Sequence, residues 1–410
     1  MIENLNKHIE RSFKRLSDDI YSINRIWQNE NYDWPGDFEG RALLAFVCLY
    51  EITNQKIPCM DEMINDLLKH LNKEGYMGKI ANGIADEQQL SGHSWLLRGL
   101  CEYYNIFKDE KSLKYANKII KNLYLPLIDL YKAYPLNRNK SNEGGVSVST
   151  YKTINNWKLS SDIGCAYICL DGLTAYYEIT KDNDVKKAID LLINGFINLD
   201  RLALKCQTHA TLTGARGIMR LYKITNEEKY LDYVIEIFDF YIKYGMTLNY
   251  ENINWFNKND SWTEPCAVVD SFILSLWLYE ITNEKKYQIL ASRIWFNGLL
   301  FCHRENGGAG PNTCVNLKQP YLNISMYEAF FCCSMRYCEG LKYAWQYEHI
   351  ITSDDKIIKD EYGRVFKGNK LLVNDENNDF SSNIHIRFDN KDYIEIPTFV
   401  KNKNYKLKVF

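Results

Sequence analysis

Apolar residues along this chain recur at helical spacing, and a single phrase punctuates them five times. It reads LYEITNQK from Leu49, YYNIFKDEKSL from Tyr103, YYEITKDNDV from Tyr176, LYKITNEEKYL from Leu221 and LYEITNEKKY from Leu278. The second aromatic of each copy stands at Tyr50, Tyr104, Tyr177, Tyr222 and Tyr279, giving intervals of 54, 73, 45 and 57 residues. Periods of this size mark stacked supersecondary units. Each copy has the chemistry of a helix–turn–helix junction: an apolar helix ends in Leu-Tyr or Tyr-Tyr, and Thr, Asn or Asp then offers an oxygen to cap the next helix. Glu and Lys fill the turn that follows. Beyond the fourth copy, Tyr230, Leu231, Tyr233, Val234, Ile237 and Phe238 recur at amphipathic spacing.

Counting outward from these junctions predicts twelve helices. They cover roughly 3–29, 39–53, 59–74, 91–107, 110–131, 161–180, 183–196, 206–224, 227–243, 264–282, 284–300 and 327–347. Six helical pairs predict an all-α fold, an (α/α)6 toroid over residues 1–350, in which each hairpin buries its apolar face against two neighbours. The even-numbered helices are the more uniformly apolar and are placed inside; an open solenoid is the alternative. From about Thr352 the pattern changes to period two (Ile384–Phe388, Tyr393–Ile396, Tyr405–Val409), which predicts a small β appendage over 351–410.

Charge narrows the partners. Fifty basic and 52 acidic residues give a net charge of −2, with no basic stripe of the kind nucleic acid requires. No apolar signal core opens the sequence and no run reaches the roughly 18 apolar residues of a membrane span, so a cytoplasmic location without a membrane partner is expected. In that compartment twelve cysteines are thiols rather than a disulfide framework. Cys48, Cys101, Cys165 and Cys169 read as small buried hydrophobes on helix faces.

Candidate chemistry collects where long connections lead into the even-numbered helices. Trp34 and Asp37 precede the second helix, His93 opens the fourth, Asp162 the sixth and His209 the eighth. Glu264 and Cys266 open the tenth, and Cys332 and Cys333 lie near the start of the twelfth. Helix N-termini stabilise thiolates and carboxylates. Glu264, Cys266, Cys332 and Cys333 form a donor set suited to tetrahedral zinc. Three buried cysteines beside a helix-capping glutamate would leave the same residues at the same spacing. Glu251 lies in an aromatic loop, where desolvation would favour the protonated form that a general acid needs; an ordinary solvated glutamate is the alternative. His8, His70, His349 and His385 read as solvated, and His303 sits in a glycine-rich loop that could serve a site or not.

These phrases resemble the catalytic domain of glycoside hydrolase family 127 (GH127), the retaining β-L-arabinofuranosidases, from about Asp33 to Tyr343. The likeness rests on Asp33-Trp-Pro-Gly-Asp-Phe-Glu-Gly40, Ser91-Gly-His-Ser-Trp-Leu-Leu-Arg-Gly-Leu100, His209-Ala210, Gly245-Met-Thr247 with Glu251, Trp262-Thr-Glu-Pro-Cys-Ala267, and Cys332-Cys333. The resemblance implies a zinc ion held by Glu264, Cys266, Cys332 and Cys333, Cys332 as nucleophile and Glu251 as acid/base. It also implies a saccharide substrate bound by His93 and His209, with Trp34, Asp37 and Asp162 lining the cleft. The chain departs from the family in Glu-Pro-Cys for Glu-Thr-Cys, in the shortened glycine turn, in Ser-Met-Arg-Tyr after the paired cysteines, and in its short C-terminal segment. Two other functions stay open: different sugar or peptide-tailoring chemistry, such as an epimerase or lyase, on the same toroid, or a non-catalytic binding protein stabilised by zinc.

Overall fold

The computed structural model describes residues 5–27, 33–136, 153–375, 385–388, 391–395 and 407–408. The expected ends of the first helix, part of the 131–160 connection and the flanks of the three expected tail strands lie outside the described residues. Twelve α-helices of seven residues or more are present among those described. They are α1 Leu5–Leu16, α2 Asp37–Thr53, α3 Met60–Asp66, α4 Glu87–Phe107, α5 Glu110–Ile119 and α6 Cys169–Thr180. The remainder are α7 Asn183–Ile197, α8 Thr208–Thr225, α9 Glu228–Tyr244, α10 Pro265–Thr282, α11 Lys285–Ile294 and α12 Cys333–Gln346. Two compact units divide the chain. The helical unit is Leu16–Tyr241 with Trp255–Asn257; the mixed unit is Met1–Arg15, Ile242–Asn254 and Lys258–Phe410.

The recurring phrase works as a helix stop. Asn54, Lys108, Lys181, Asn226 and Asn283 all adopt left-handed backbone, with φ between 52° and 57°. Each donates its N–H to the carbonyl of the aromatic four residues earlier: Tyr50, Tyr104, Tyr177, Tyr222 and Tyr279. Asn is among the few side chains that tolerate this conformation, which accounts for three of the five positions. The Thr and Asn of the phrase were expected, like Asp, to cap the following helix; instead both close the preceding one. Thr53, Thr180, Thr225 and Thr282 donate to the carbonyl four residues back and accept an N–H two residues ahead. Capping of the next helix falls to the acid beyond, as at Asp109 and Asp182.

Burial follows the expected alternation. The central stretches of α2, α4, α8 and α10 are buried without interruption, whereas α5, α7, α9 and α11 bury one stripe. In the helical unit glycine sets the spacing of α2 and α4. A Cβ on Gly40 would lie 2.1 Å from the Leu96 backbone nitrogen, and one on Gly92 would lie 2.4 Å from the Pro35 carbonyl oxygen. The two backbones therefore touch, and the Asp33–Gly40 and Ser91–Leu100 phrases are first of all the packing seam between these helices.

Several expected elements differ. The long first helix breaks after Leu16 into a 3-10 turn and a four-residue helix, Ile23–Ile26, with Asp18 and Ser22 in extended backbone at the two breaks. The sixth begins at Cys165 as a 3-10 turn, because Gly164 at φ 91° breaks the approach, so Asp162 lies in the preceding loop. The fourth starts earlier than expected, capped by Asp86 onto the Gln88 N–H, which leaves His93 inside the helix rather than at its start. Residues 327–332 are not helical: the Ala329 N–H bonds Ala309 O (2.9 Å) and Arg304 Nε donates to Tyr327 O (2.8 Å). His8 is buried, not solvated. Its Nδ1 lies 2.5 Å from His303 Nδ1 inside the mixed unit, and burial lowers its pKa to about 3.

The tail forms a sheet in the mixed unit. Strands Ile357–Lys359, Val365–Lys367 and Lys370–Asp375 pair antiparallel, and Lys391–Glu395 joins the last of these and pairs with His385–Phe388. Leu407–Lys408 pairs with both Lys370–Asp375 and Tyr321–Leu322. Among the described residues one helix, α10, is long and apolar enough by length and composition to cross a membrane, and most of it is buried within the protein.

Candidate metal centre and its surroundings

Two helix starts in the mixed unit bring three sulfurs together. Pro265 occupies the first turn of α10, where its missing N–H costs no hydrogen bond, which explains how Glu-Pro-Cys is tolerated. Cys266 follows it. Cys333 is the first residue of α12, with Cys332 at the N-cap. The sulfurs of Cys266 and Cys333 are 3.8 Å apart, those of Cys332 and Cys333 are 3.3 Å apart, and all three lie within 4.8 Å of one another. Four tetrahedral ligands at a zinc–sulfur distance of about 2.3 Å would stand about 3.8 Å apart, so the spacing suits the metal. A carboxylate oxygen of Glu264 lies within 4.8 Å of the Cys266 sulfur. Glu264 stands at the N-cap position of α10, but its side chain does not cap the helix. Its backbone N–H is instead fixed by Asn252 Oδ1 at 2.8 Å.

Cys266 and Cys333 are buried, and Cys332 is the one cysteine of the twelve that keeps partial exposure. Burial, followed by the neighbouring thiols, pushes the Cys333 thiol well above its ordinary pKa. The Cys333 thiol therefore stays neutral unless a cation offsets the charge of its thiolate, as a bound metal does. The donors present fit a soft divalent metal such as zinc.

Glu251 occupies a closed polar pocket in the same unit. Its Oε2 accepts from Asn249 Nδ2 (2.7 Å), and its Oε1 accepts from Asn312 Nδ2 (2.7 Å), Thr263 Oγ1 (3.2 Å) and the Cys302 thiol (3.4 Å). Desolvation raises its pKa, and these donors together with the Arg304 charge pull the other way. Asn312 Oδ1 in turn accepts from Arg304 Nη2 (2.8 Å). Arg304 is buried and also donates to the carbonyls of Phe301, Gly310 and Tyr327, pinning the 301–327 loop from within. Arg304, Asn312, Asn249, Thr263 and Cys302 were not singled out from sequence. Only the Asn-rich loop around Glu251 hinted that its carboxylate would be bound by amides.

The other candidates belong to the helical unit. Asp37 is the first residue of α2 and is tied to Arg41 at 2.8 Å, whose guanidinium covers the Trp95 ring at 4.2 Å. Trp34 packs on the apolar cluster of Leu44, Cys48, Trp95, Cys165, Ile168 and Ala210. His209 stacks on Trp95, with ring centroids 5.8 Å apart, and its Nδ1 lies 3.2 Å from Thr213 Oγ1. His93 is committed to the backbone on both sides: Nε2 accepts the Met77 N–H (2.9 Å) and Nδ1 lies 2.8 Å from Gln89 O, and burial lowers its pKa to about 4. Asp162 keeps some exposure but is ringed by protein. Desolvation pushes its pKa to about 6, against a hydrogen bond from Trp255 Nε1 at 3.2 Å. A cleft of about 560 Å³ in this unit is lined by Asp33 and Pro35 of the first motif and by His70, Met77, Gly78 and Gln89.

No family model and no curated protein sequence matches the chain. Solved structures do. A GH127 β-arabinofuranosidase shares 13% identity at TM-score 0.54, over 91% of this chain and 62% of its own length. The chain is GH127-like in fold. A structure described as a glycoside hydrolase shares 14% identity at TM-score 0.52, over 82% of this chain and 58% of its own length. The cellobiose 2-epimerase of Bacillus thermoamylovorans shares 15% identity at TM-score 0.54, over 84% of this chain and 100% of its own. The chain thus spans about six-tenths of the length of the two hydrolases. At these identities the likeness shows the fold alone, the all-α class of the (α/α)6 toroid carbohydrate-active enzymes.

Proposed function

We propose that the chain is a retaining glycoside hydrolase of β-L-arabinofuranosidase type with a metal-bound cysteine nucleophile. The observation that carries this reading is the convergence of Cys266, Cys332 and Cys333 at two helix N-termini, with the Glu264 carboxylate beside Cys266. Zinc bound by these four residues would keep the thiolates deprotonated and in place. Cys332, the partly exposed sulfur, attacks the anomeric carbon as the bond to the leaving oxygen breaks, and Glu251 delivers its proton to that oxygen. The sugar is then held on sulfur. Glu251, now a carboxylate, takes a proton from water, the water oxygen attacks the same carbon, and the Cys332 thiolate departs. Two displacements at one carbon retain its configuration. Burial raises the Glu251 pKa in the direction a general acid requires. Its enclosure by Asn249 and Thr263 means that one of them must give way for a leaving oxygen to reach it. Within the helical unit, His93 shapes the cleft there by holding Met77 and Gln89.

The test combines elemental mass spectrometry with turnover of aryl and alkyl furanosides. About one zinc per chain is expected, lost in Cys266→Ser, and Cys332→Ala should abolish turnover. Glu251→Gln should slow alkyl furanosides far more than activated aryl ones. A metal-free folded protein, or full turnover in Cys332→Ala, would overturn the reading. A second reading, a sugar epimerase on the same fold, is supported by the likeness to the cellobiose 2-epimerase at TM-score 0.54. Isomerised rather than hydrolysed products would identify it.

A further inference from the structure

The mixed unit holds a second cleft, at the opposite end of α10 from Cys266. It has a volume of about 360 Å³ and is walled by Tyr279, Glu280, Asn283, Gln288, Tyr347 and His349. Tyr279 stands thirteen helical steps beyond Cys266, about 20 Å along the axis, so the cleft is no part of the thiolate centre.

Its walls are aromatic and polar together. Tyr343, Tyr347 and His349 form a near-parallel array: the centroids of Tyr343 and Tyr347 are 6.1 Å apart at 9°, and those of Tyr347 and His349 are 6.4 Å apart at 23°. Trp277 braces Tyr343 edge-on at 5.5 Å. Burial and then the nearby Glu280 carboxylate raise the Tyr347 phenol's pKa, and Gln288 Nε2 donates to Ile350 O at 3.2 Å. Tyr279 and Tyr347 are half-buried, while Glu280, Asn283 and His349 reach solvent.

The recurring junction phrase does not by itself make such a site. Its first copy puts Tyr50 where the last puts Tyr279, but there Phe107 lies against the ring at 4.9 Å and Lys56 covers Phe107 at 4.5 Å. At the Tyr279 corner α12 ends at Gln346 with Tyr347 as its C-cap, and the space between Tyr279 and Tyr347 stays open.

Flat aromatic faces beside an amide and a carboxylate are complementary to a sugar ring, whose C–H face lies on the aromatic and whose hydroxyls meet the amide and carboxylate. One carboxylate and one imidazole do not make a phosphate or nucleic-acid site, and the polar wall disfavours a lipid or an apolar peptide. The volume is at the small end for a ligand site and suits one or two rings. We propose that this cleft is a carbohydrate-binding site for a neutral mono- or disaccharide unit, separate from the thiolate centre.

The experiment is calorimetric and NMR titration of the full chain with cellobiose, xylobiose, maltose and arabinobiose, using wild type, Tyr347→Ala, Tyr347→Phe, Asn283→Ala and Cys332→Ala. At least one sugar should bind wild type and Cys332→Ala alike and bind Tyr347→Ala or Asn283→Ala about tenfold more weakly, with Tyr347→Phe between them. If Tyr347→Ala fails to fold, Asn283→Ala and Tyr347→Phe carry the comparison. Absence of binding by all four sugars, or binding that none of the cleft substitutions alters, would overturn the proposal. Because Cys332→Ala keeps this site intact, failure of the hydrolase reading and failure of this one are separate results.

Discussion

Asn312 offers a sharp test of the pocket around Glu251. It is gripped on both sides, its Oδ1 by Arg304 Nη2 and its Nδ2 by Glu251 Oε1 at 2.7 Å. Asn312→Asp keeps the volume and the arginine contact but turns the amide donor into an oxygen facing another carboxylate oxygen. Two carboxylates at that distance cannot both ionise, so the pair retains one proton that bridges them. While that proton is bound, an O–H···O bond replaces the lost N–H···O bond. Once it leaves, a hydrogen bond to a charged acceptor worth about 1.5–3 kcal/mol is gone and replaced by repulsion.

The sign follows from burial. The Glu251 pKa is already raised in the folded state, so the stability tied to its bound proton is fully present below the unfolded value near 4.5 and is lost as pH rises through the folded value. The second carboxylate moves that loss to higher pH and steepens it toward about 1.4 kcal/mol per pH unit. Urea unfolding followed by tryptophan fluorescence should therefore find Asn312→Asp close to wild type at pH 5 and about 2–4 kcal/mol less stable at pH 8. Asn312→Ala should show a similar loss at both pH values. Comparing variants at each pH cancels any pH dependence of metal binding that they share. Parallel curves for wild type and Asn312→Asp across the range would refute the pairing of Asn312 with Glu251.

Two further outcomes probe the frame. Gly40→Ala forces a Cβ to within 2.1 Å of the Leu96 nitrogen and should cost about 3 kcal/mol or more by thermal melting. Gly83→Ala, with open space but φ 76°, should cost about 1 kcal/mol, and equal shifts would remove the α2–α4 seam as an explanation. Asp171→Asn strands buried arginines: Asp171 lies 2.5 Å from Arg220 Nη1 and 3.0 Å from Arg98 Nε, and Arg220, Arg216 and Arg98 hold its carboxyl well below the usual range despite burial. The stability it provides is present above the ordinary carboxylate pKa and lost as pH falls. The variant should therefore lose about 3–5 kcal/mol at pH 7 and less on acidification below about pH 4; a loss equal at pH 3 and pH 7 would count against an ionised Asp171.

What the sequence determined about this protein is what local physics controls. Helix starts and stops depend on hydrogen bonds across four residues or fewer, so the five junction phrases marked the ends of α2, α4, α6, α8 and α10 and left Thr and Asn to be reassigned from the next helix to the preceding one. The alternation of fully buried and one-face-buried helices was legible for the same reason, because it is written in side-chain periodicity. The Glu264–Cys266 and Cys332–Cys333 pairs could be seen as donors, but their spacing left a metal centre and buried thiols equally open. Only the fold set Cys266 and Cys333, 67 residues apart, with sulfurs at 3.8 Å. Tertiary structure alone also decided that His8 is buried against His303, 295 residues on. It likewise decided that both ring nitrogens of His93 are used by the backbone, and that Arg304 and Asn312 hold Glu251. Such partners leave no periodic trace, because a buried polar group selects whichever donor the packing brings to it, at any distance along the chain.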